Sequence, residues 1–318
     1  MAALERIWLK RAAQLLAGLV ASTLGWGATA QANTVTFEPV APGIFAFIGE
    51  TEGRTAENEA LNANIGLVVT QQGALLIDSG ASMQGAAQLA QAASRVTSQP
   101  IRWVINTGGQ DHRWLGNSYF ASHGAAIMAH EGAQADMQTR GREHIQALQA
   151  VLKDKLQGTT PSLPTRWLQG PENRLELGGK AIEIYYRGGG HTPGDVLVWL
   201  PQDQVMFTGD VVYVDRILGM HSVSKTKPWL ETFAVIDQLQ PTIIVPGHGA
   251  VTDLAHAQHD TRDLLQALRA HMGQAIEDGV DLSEAVKTFD GRAFAHLKHA
   301  DAWLAQLANR TYLEMEME

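Results

Sequence analysis

Residues 188–210 read Gly188-Gly189-Gly190-His191-Thr192-Pro193-Gly194-Asp195-Val196-Leu197-Val198-Trp199-Leu200-Pro201-Gln202-Asp203-Gln204-Val205-Met206-Phe207-Thr208-Gly209-Asp210. Two short apolar runs, 196–200 and 204–207, stand between Gly- and Pro-containing turns. Runs of this length, rich in Val, Phe and Trp, are strand signals. His191 precedes the first run and Asp210 ends the second, each beside glycine. Strand ends line up on one edge of a sheet, so polar groups placed there can meet although far apart in sequence. Neighbouring glycines let backbone and ligand approach closely.

The pattern recurs along the chain. Asp78 ends the run Leu75-Leu76-Ile77, Asp111-His112 follow Ile105-Asn106-Thr107, and His248 lies in Pro246-Gly247-His248-Gly249. Singly, each of these is compatible with a turn, a cap or a solvated side chain. Five polar groups at successive strand ends point to a metal centre, because imidazole and carboxylate suit zinc or another first-row ion. The triplet Gly188-Gly189-Gly190 is no phosphate loop, since no Lys-Ser or Lys-Thr follows it.

Outward from these motifs, residues 34–47 alternate as strands, and 64–69 and 74–77 form a hairpin around Gln71-Gln72-Gly73. Helices are expected over 81–96, 111–123, 131–156 and 228–239, and strands over 101–105, 125–129, 174–177, 181–186 and 242–245. The prolines at 161, 164 and 171 mark an irregular connection, and the chain reads as helical from Asp253 onward, with Asp281 or Ser283 capping one segment. Two β-rich halves with flanking helices predict an α+β chain, sheet packed on sheet with helices outside.

The order of the motifs resembles the metallo-β-lactamase superfamily over residues 34–248. Asp78, His191 within GGGHTPGD, Asp210 within FTGD and His248 within PGHG match four of its five motifs. The resemblance implies an αββα sandwich and a zinc-dependent hydrolytic centre at the sheet edges. The fifth motif, HxHxDH, reads Thr107-Gly108-Gly109-Gln110-Asp111-His112, so Thr107 and Gly109 replace the two leading histidines. By the resemblance, the first metal keeps only His191, while the second keeps Asp111, His112, Asp210 and His248. The expectation is one zinc ion rather than two, with manganese or iron as alternatives. Asp111 and His191 are the expected catalytic residues, His191 orienting or protonating, and Asp78 supports the ligands. Gln110 has the wrong spacing to replace either histidine. Trp114, Tyr119, Trp167, Tyr213, Arg216 and His221 are weaker candidates for a pocket lining, and His144 reads as structural or solvated, like the other histidines away from strand ends.

The N-terminus reads as a leader. Arg6, Lys10 and Arg11 precede the uncharged apolar stretch 12–24, and Ala28-Thr29-Ala30 and Ala30-Gln31-Ala32 are small-x-small cleavage patterns. We expect a signal peptide over 1–32, a single domain over 33–318 including C-terminal helices from about 253, and a periplasmic or secreted destination. The absence of cysteine suits an oxidising compartment and excludes thiolate ligands. Removing Glu5, Arg6, Lys10 and Arg11 takes the net charge from −9 to −11. Such acidity argues against nucleic acid as a partner, and no membrane association is expected once the leader is gone. The expected partner is a small-molecule substrate, an ester, lactone, thioester or amide. The competing expectation is a non-catalytic metal-binding or accessory protein of an exported redox system.

Overall fold

The apolar runs pair into two sheets that face each other. The structure, a computed structural model, describes residues 35–318; the expected leader lies outside the described residues. The first sheet has seven strands in sequence order: β1 (Glu38–Ala41), β2 (Ile44–Phe47), β3 (Ile65–Thr70), β4 (Gly73–Ile77), β5 (Ile101–Ile105), β6 (Ala126–His130) and β7 (Arg166–Leu168). β1 to β4 form an antiparallel meander, whereas β4 to β7 are parallel. Parallel neighbours need crossovers. Helix α1 (Met83–Val96) supplies the first, α2 (Asp111–Trp114) and α3 (Asn117–Ser122) the second, and α4 (Gln134–Leu152) the third. The second sheet runs β12 (Ile243–Val245), β11 (Val205–Phe207), β10 (Leu197–Leu200), β9 (Lys180–Tyr185), β8 (Glu172–Leu177). It is antiparallel except for β11 with β12, which helix α5 (Thr226–Leu239) connects.

Side-chain alternation explains the layers. Leu75 and Ile77 of β4 point between the sheets and meet Ile182, Val198, Val205 and Phe207 of the other sheet in one core. Ala74 and Leu76, on the opposite face, pack on Leu89, Ala92 and Ala93 of α1. Both faces are buried, which is why the strand sequences read as continuous apolar runs. The outer face of the second sheet, with Leu197, Trp199 and Met206, is covered by α5 and by α7 (Asp263–Glu277), α8 (Leu282–Thr288) and α9 (Ala300–Met315). The result is the expected αββα sandwich, and residues 35–318 form one compact unit.

Two segments depart from expectation. The helix expected over 111–123 is two short helices broken at Gly116, where a Cβ would collide with the carbonyl oxygen of Ser79. Only glycine allows that approach, and its N–H donates to the carbonyl of Gly80 at 3.0 Å. The connection expected between the prolines contains the edge strand β7. Beyond β12, α6 (Leu254–Ala257) runs into a π-helical turn, Gln258–Arg262, before α7. No helix among the described residues is long and apolar enough to cross a membrane.

Candidate metal centre

The ends of β4, β5, β11 and β12 deliver their polar residues to one place. Asp210, on the turn after β11, is its hub. His112 Nε2 lies 3.0 Å from Asp210 Oδ2, His248 Nε2 lies 3.2 Å from Oδ1, and His191 Nδ1 lies 3.5 Å from Oδ2. The donor atoms of His112, Asp210 and His248 all fall within 4.8 Å of one another, and all three residues are buried. Arg113 donates to the same carboxylate from Nε at 3.1 Å and Nη2 at 2.6 Å. Burial works against ionisation of Asp210, but Arg113 and the imidazoles outweigh it and hold the carboxyl well below its usual range.

His248 shows what the cluster suits. Its Nδ1 is 2.8 Å from the carbonyl oxygen of Asn62, an acceptor, so Nδ1 carries the proton and Nε2 does not. Burial pushes this imidazole down to about 4, so it supplies no second proton at neutral pH. An Nε2 lone pair and an ionised carboxylate then face each other, an arrangement that a cation between them relieves. His191 Nδ1, fully buried, makes no hydrogen bond among the described residues. Neutral imidazoles, an orphaned ring nitrogen and an ionised carboxylate fit a first-row divalent ion.

Asp111 is placed differently from the expected ligand set. It does not join the converging group; its carboxylate accepts from both Nη atoms of Arg54, from Gln110 Nε2 at 3.2 Å and from the backbone N–H of His112 at 2.8 Å. Burial raises its pKa, yet Arg54 and His112 overcome this and hold it far below the usual carboxylate range. Arg54 Nη2 also lies 2.7 Å from His112 Nδ1. A guanidinium has only donors, so Nδ1 accepts, and the His112 proton sits on Nε2 toward Asp210. Nothing in the sequence around Gly53-Arg54 signals this residue.

The positions of the two replaced histidines are filled. Thr107 donates its N–H (2.7 Å) and its hydroxyl to the Asp78 carboxylate. Asp78 in turn accepts from Arg113 Nη1 at 2.9 Å, so it supports Asp210 through Arg113. At Gly109 a Cβ would collide with Asp136 Oδ2, and Asp136 is paired with Arg140. Gln110 Oε1 is buried without a partner.

A cavity of about 540 Å³ opens over the cluster. Besides Asp111, His112, His191 and His248, its walls include Arg54, Arg140, His144, Tyr213, Arg216, His221 and Trp303. Of the weaker pocket candidates, Tyr213, Arg216 and His221 are therefore in place. Trp114 is instead a core residue donating to the Gly109 carbonyl at 3.0 Å, Tyr119 packs with Phe120 under α1, and Trp167 packs beside α4. His144 is no solvated residue: it is buried at the cavity wall with both ring nitrogens unpartnered. Arg216 is only 4% exposed, and its Nε has no partner. Its guanidinium lies 5.3 Å from the Trp303 ring and 5.8 Å from that of Tyr213, and no carboxylate among the described residues pairs with it.

The chain is similar to known proteins. Residues 58–248 match the metallo-beta-lactamase superfamily. The chain is similar to the metallo-beta-lactamase type 2 of Bacillus cereus, 32% identical over 140 residues, which cover 42% of this chain and 53% of that protein. It is 25% identical to the metallo-beta-lactamase type 2 of Elizabethkingia meningoseptica over 207 residues, 64% of this chain and 75% of the relative. The chain thus matches only about half the length of the first of these relatives. Among solved structures, a metallo-beta-lactamase from Pontibacter korlensis superposes with a TM-score of 0.56 at 22% identity, over 73% of this chain and 99% of that one. The stereoselective inverting sec-alkylsulfatase Pisa1 from Pseudomonas sp. gives a TM-score of 0.68 at 15% identity, over 87% of this chain and 50% of that one. With the sandwich, the strand-end motifs and the profile match agreeing, the chain belongs to the metallo-beta-lactamase superfamily.

Proposed function

We propose that the chain is an exported metal-dependent hydrolase that binds one zinc ion at this centre and cleaves a small anionic ester, lactone, thioester or amide. The observation that supports it most is the convergence of His112, Asp210 and His248, with the unprotonated Nε2 of His248 facing an ionised carboxylate. These three residues would hold the ion, with the unpartnered Nδ1 of His191 beside them. Zinc there supplies Lewis acidity and lowers the pKa of a bound water to about 7.

The chain's own residues do the rest. Arg113 keeps Asp210 ionised, and the Asn62 carbonyl fixes the tautomer of His248. Asp111, held ionised by Arg54, is a poor proton store and is suited to orienting a water or a cation. Arg216 is a buried guanidinium with no salt bridge to a carboxylate among the described residues, and burying a charge that is not directly paired is costly. It would bind the substrate's negative group against the Trp303 face, beside His248. Burial keeps His144 and His221 below the usual imidazole value, so they present neutral rings to the substrate. Export rests on the positive start, apolar stretch and cleavage patterns of residues 1–32.

The test is turnover of nitrophenyl esters, lactones, thioesters and β-lactams by the purified protein with zinc, manganese or iron, in parallel with metal content. Asp210→Asn is expected to remove one ion per chain and at least about 100-fold of kcat, as loss of a single strong electrostatic contact does. Two ions lost with Asp210→Asn would overturn the single-metal reading. Tight metal binding with no turnover on any substrate would make the chain a binding protein instead.

A further inference from the structure

A second group of metal-type donors lies outside the cavity. Asp260, on the π-helical turn, has a fully buried carboxylate. His259 Nδ1 is 2.7 Å and His296 Nε2 is 2.9 Å from its Oδ1. His256 Nε2 is 2.9 Å from its Oδ2, and the backbone N–H of Asp215 donates to the same oxygen at 2.9 Å. The donor atoms of His259, Asp260 and His296 fall within 4.8 Å of one another, as do those of Asp215, His256 and Asp260. None of these residues lines the cavity above the first centre.

We propose that His259, Asp260 and His296 form a second site for a divalent first-row cation, zinc in the first instance, with a structural role. The arrangement has the parts such a site needs. One carboxylate sits at the base, and two imidazoles stand at the rim with side chains 55% and 45% exposed, leaving further positions open to water. The ligands come from separate segments: the π turn and the loop after the short helix Arg292–Phe294. His256 and the Asp215 N–H fix the other carboxylate oxygen, the outer support that metal ligands usually have. Two carboxylates, Asp215 and Asp260, lie within this cluster of donors, a set that suits a cation. Burial opposes ionisation of Asp260, and the donors around it prevail, keeping its pKa below the ordinary value. π turns within α-helices are often functional.

The site would tie two pieces of chain together. Lys298 N–H donates to the Asp215 carbonyl at 3.1 Å and Ile217 N–H to the Lys298 carbonyl at 3.0 Å. The segment carrying His296 therefore already runs beside Arg216 at the cavity wall. A cation on His259 and His296 would clamp it to the α6–α7 helices.

The experiment uses the full chain, stripped by chelator and titrated with zinc and with cobalt, whose absorption reports imidazole–carboxylate ligation. The His259→Ala/His296→Ala variant is expected to lose one zinc equivalent and the zinc-dependent rise in unfolding temperature assigned to it, and to keep the ion that Asp210→Asn removes. His256→Ala is expected to weaken this second site about tenfold without abolishing it. The proposal is overturned if the double variant binds as many zinc ions as the parent with the same affinities, or if the Asp210→Asn protein takes up zinc only at millimolar concentration. The milder variant His296→Gln, checked by circular dichroism, gives the same readout if the double variant does not fold. Because the two centres are removed by different substitutions, failure here leaves the hydrolase reading intact, and the reverse.

Discussion

Arg113 grips Asp210 with two hydrogen bonds, Nε to Oδ2 at 3.1 Å and Nη2 to Oδ1 at 2.6 Å, from a position with no solvent exposure. Its remaining donor, Nη1, reaches Asp78 and the Asn64 carbonyl. One cation thus pairs with two buried carboxylates and sets the orientation of the hub of the metal centre. Arg113→Leu would leave both charges uncompensated, and breaking a buried pair costs about 3–5 kcal/mol. Arg113→Lys keeps the charge but cannot make the fork. We expect both to lower the denaturant midpoint, Leu more than Lys, and Lys to retain the fold while losing zinc affinity. A Lys variant with unaltered zinc affinity would show that the fork does not orient Asp210.

Restoring the missing histidine motif is not expected to restore a second metal in the cavity. At Gly109 the space for a side chain is taken by the Asp136 carboxylate, which is held by both Nε and Nη2 of Arg140. Thr107→His removes a hydroxyl donor from Asp78 as well. The Thr107→His/Gly109→His protein should be destabilised by about 1–3 kcal/mol, the usual cost of overpacking. Its zinc content should equal the parent's. One additional tightly bound ion per chain would show that the pocket for the first metal survives.

Most of the sandwich is legible in the sequence because its strands are buried on both faces and punctuated by glycine, proline and Asp. The hairpin around Gln71-Gln72-Gly73 and the helix ending before Pro100 show this directly. β7 is hidden because three residues between prolines carry no period, and it exists only by pairing with β6. The break at Gly116 depends on the Ser79 backbone, a contact no local pattern encodes. In the centre, residues at strand ends can be found from their glycine neighbours. Arg54 and Arg113 cannot, since a buried arginine and a solvated one look alike in sequence. His144 escapes for the same reason, its burial being set by the packing of α4 rather than by its neighbours.

Arg54 opposes a metal ion at the neighbouring centre through the His112 ring. The guanidinium occupies Asp111 and the Nδ1 of His112, and it fixes the proton of His112 on the Nε2 that a metal would need. Removing it should free His112 to change tautomer and remove a positive charge from beside the centre. We expect Arg54→Met to tighten zinc binding at the Asp210 centre about tenfold, equivalent to about 1.4 kcal/mol, in competition with a chromophoric chelator. Arg54→Lys should fall between. Weaker binding in the Met variant would mean that Arg54 preorganises Asp111 for the metal instead of opposing it.

Asp195 makes folding stability depend on pH. Its carboxylate is buried and accepts from the Thr192 N–H at 2.6 Å and from the Thr192 hydroxyl. Burial first, and then the negative charge of Asp210, push its pKa from an ordinary 3.8 up to about 8. The native chain therefore keeps a proton that the unfolded chain releases near pH 4. Stability from this group is complete below that pH and is lost as pH rises through about 8. A tenfold difference in proton affinity corresponds to about 1.4 kcal/mol, so the effect across this window amounts to roughly a few kcal/mol at most. Unfolding midpoints should fall from about pH 5 to about pH 8.5 in the parent, and fall less in Asp195→Asn, which cannot ionise. Zinc should flatten the parent's slope too, because a cation beside Asp210 offsets the charge that holds the proton on Asp195. An Asp195→Asn protein with the parent's full slope would place the pH dependence elsewhere in the molecule.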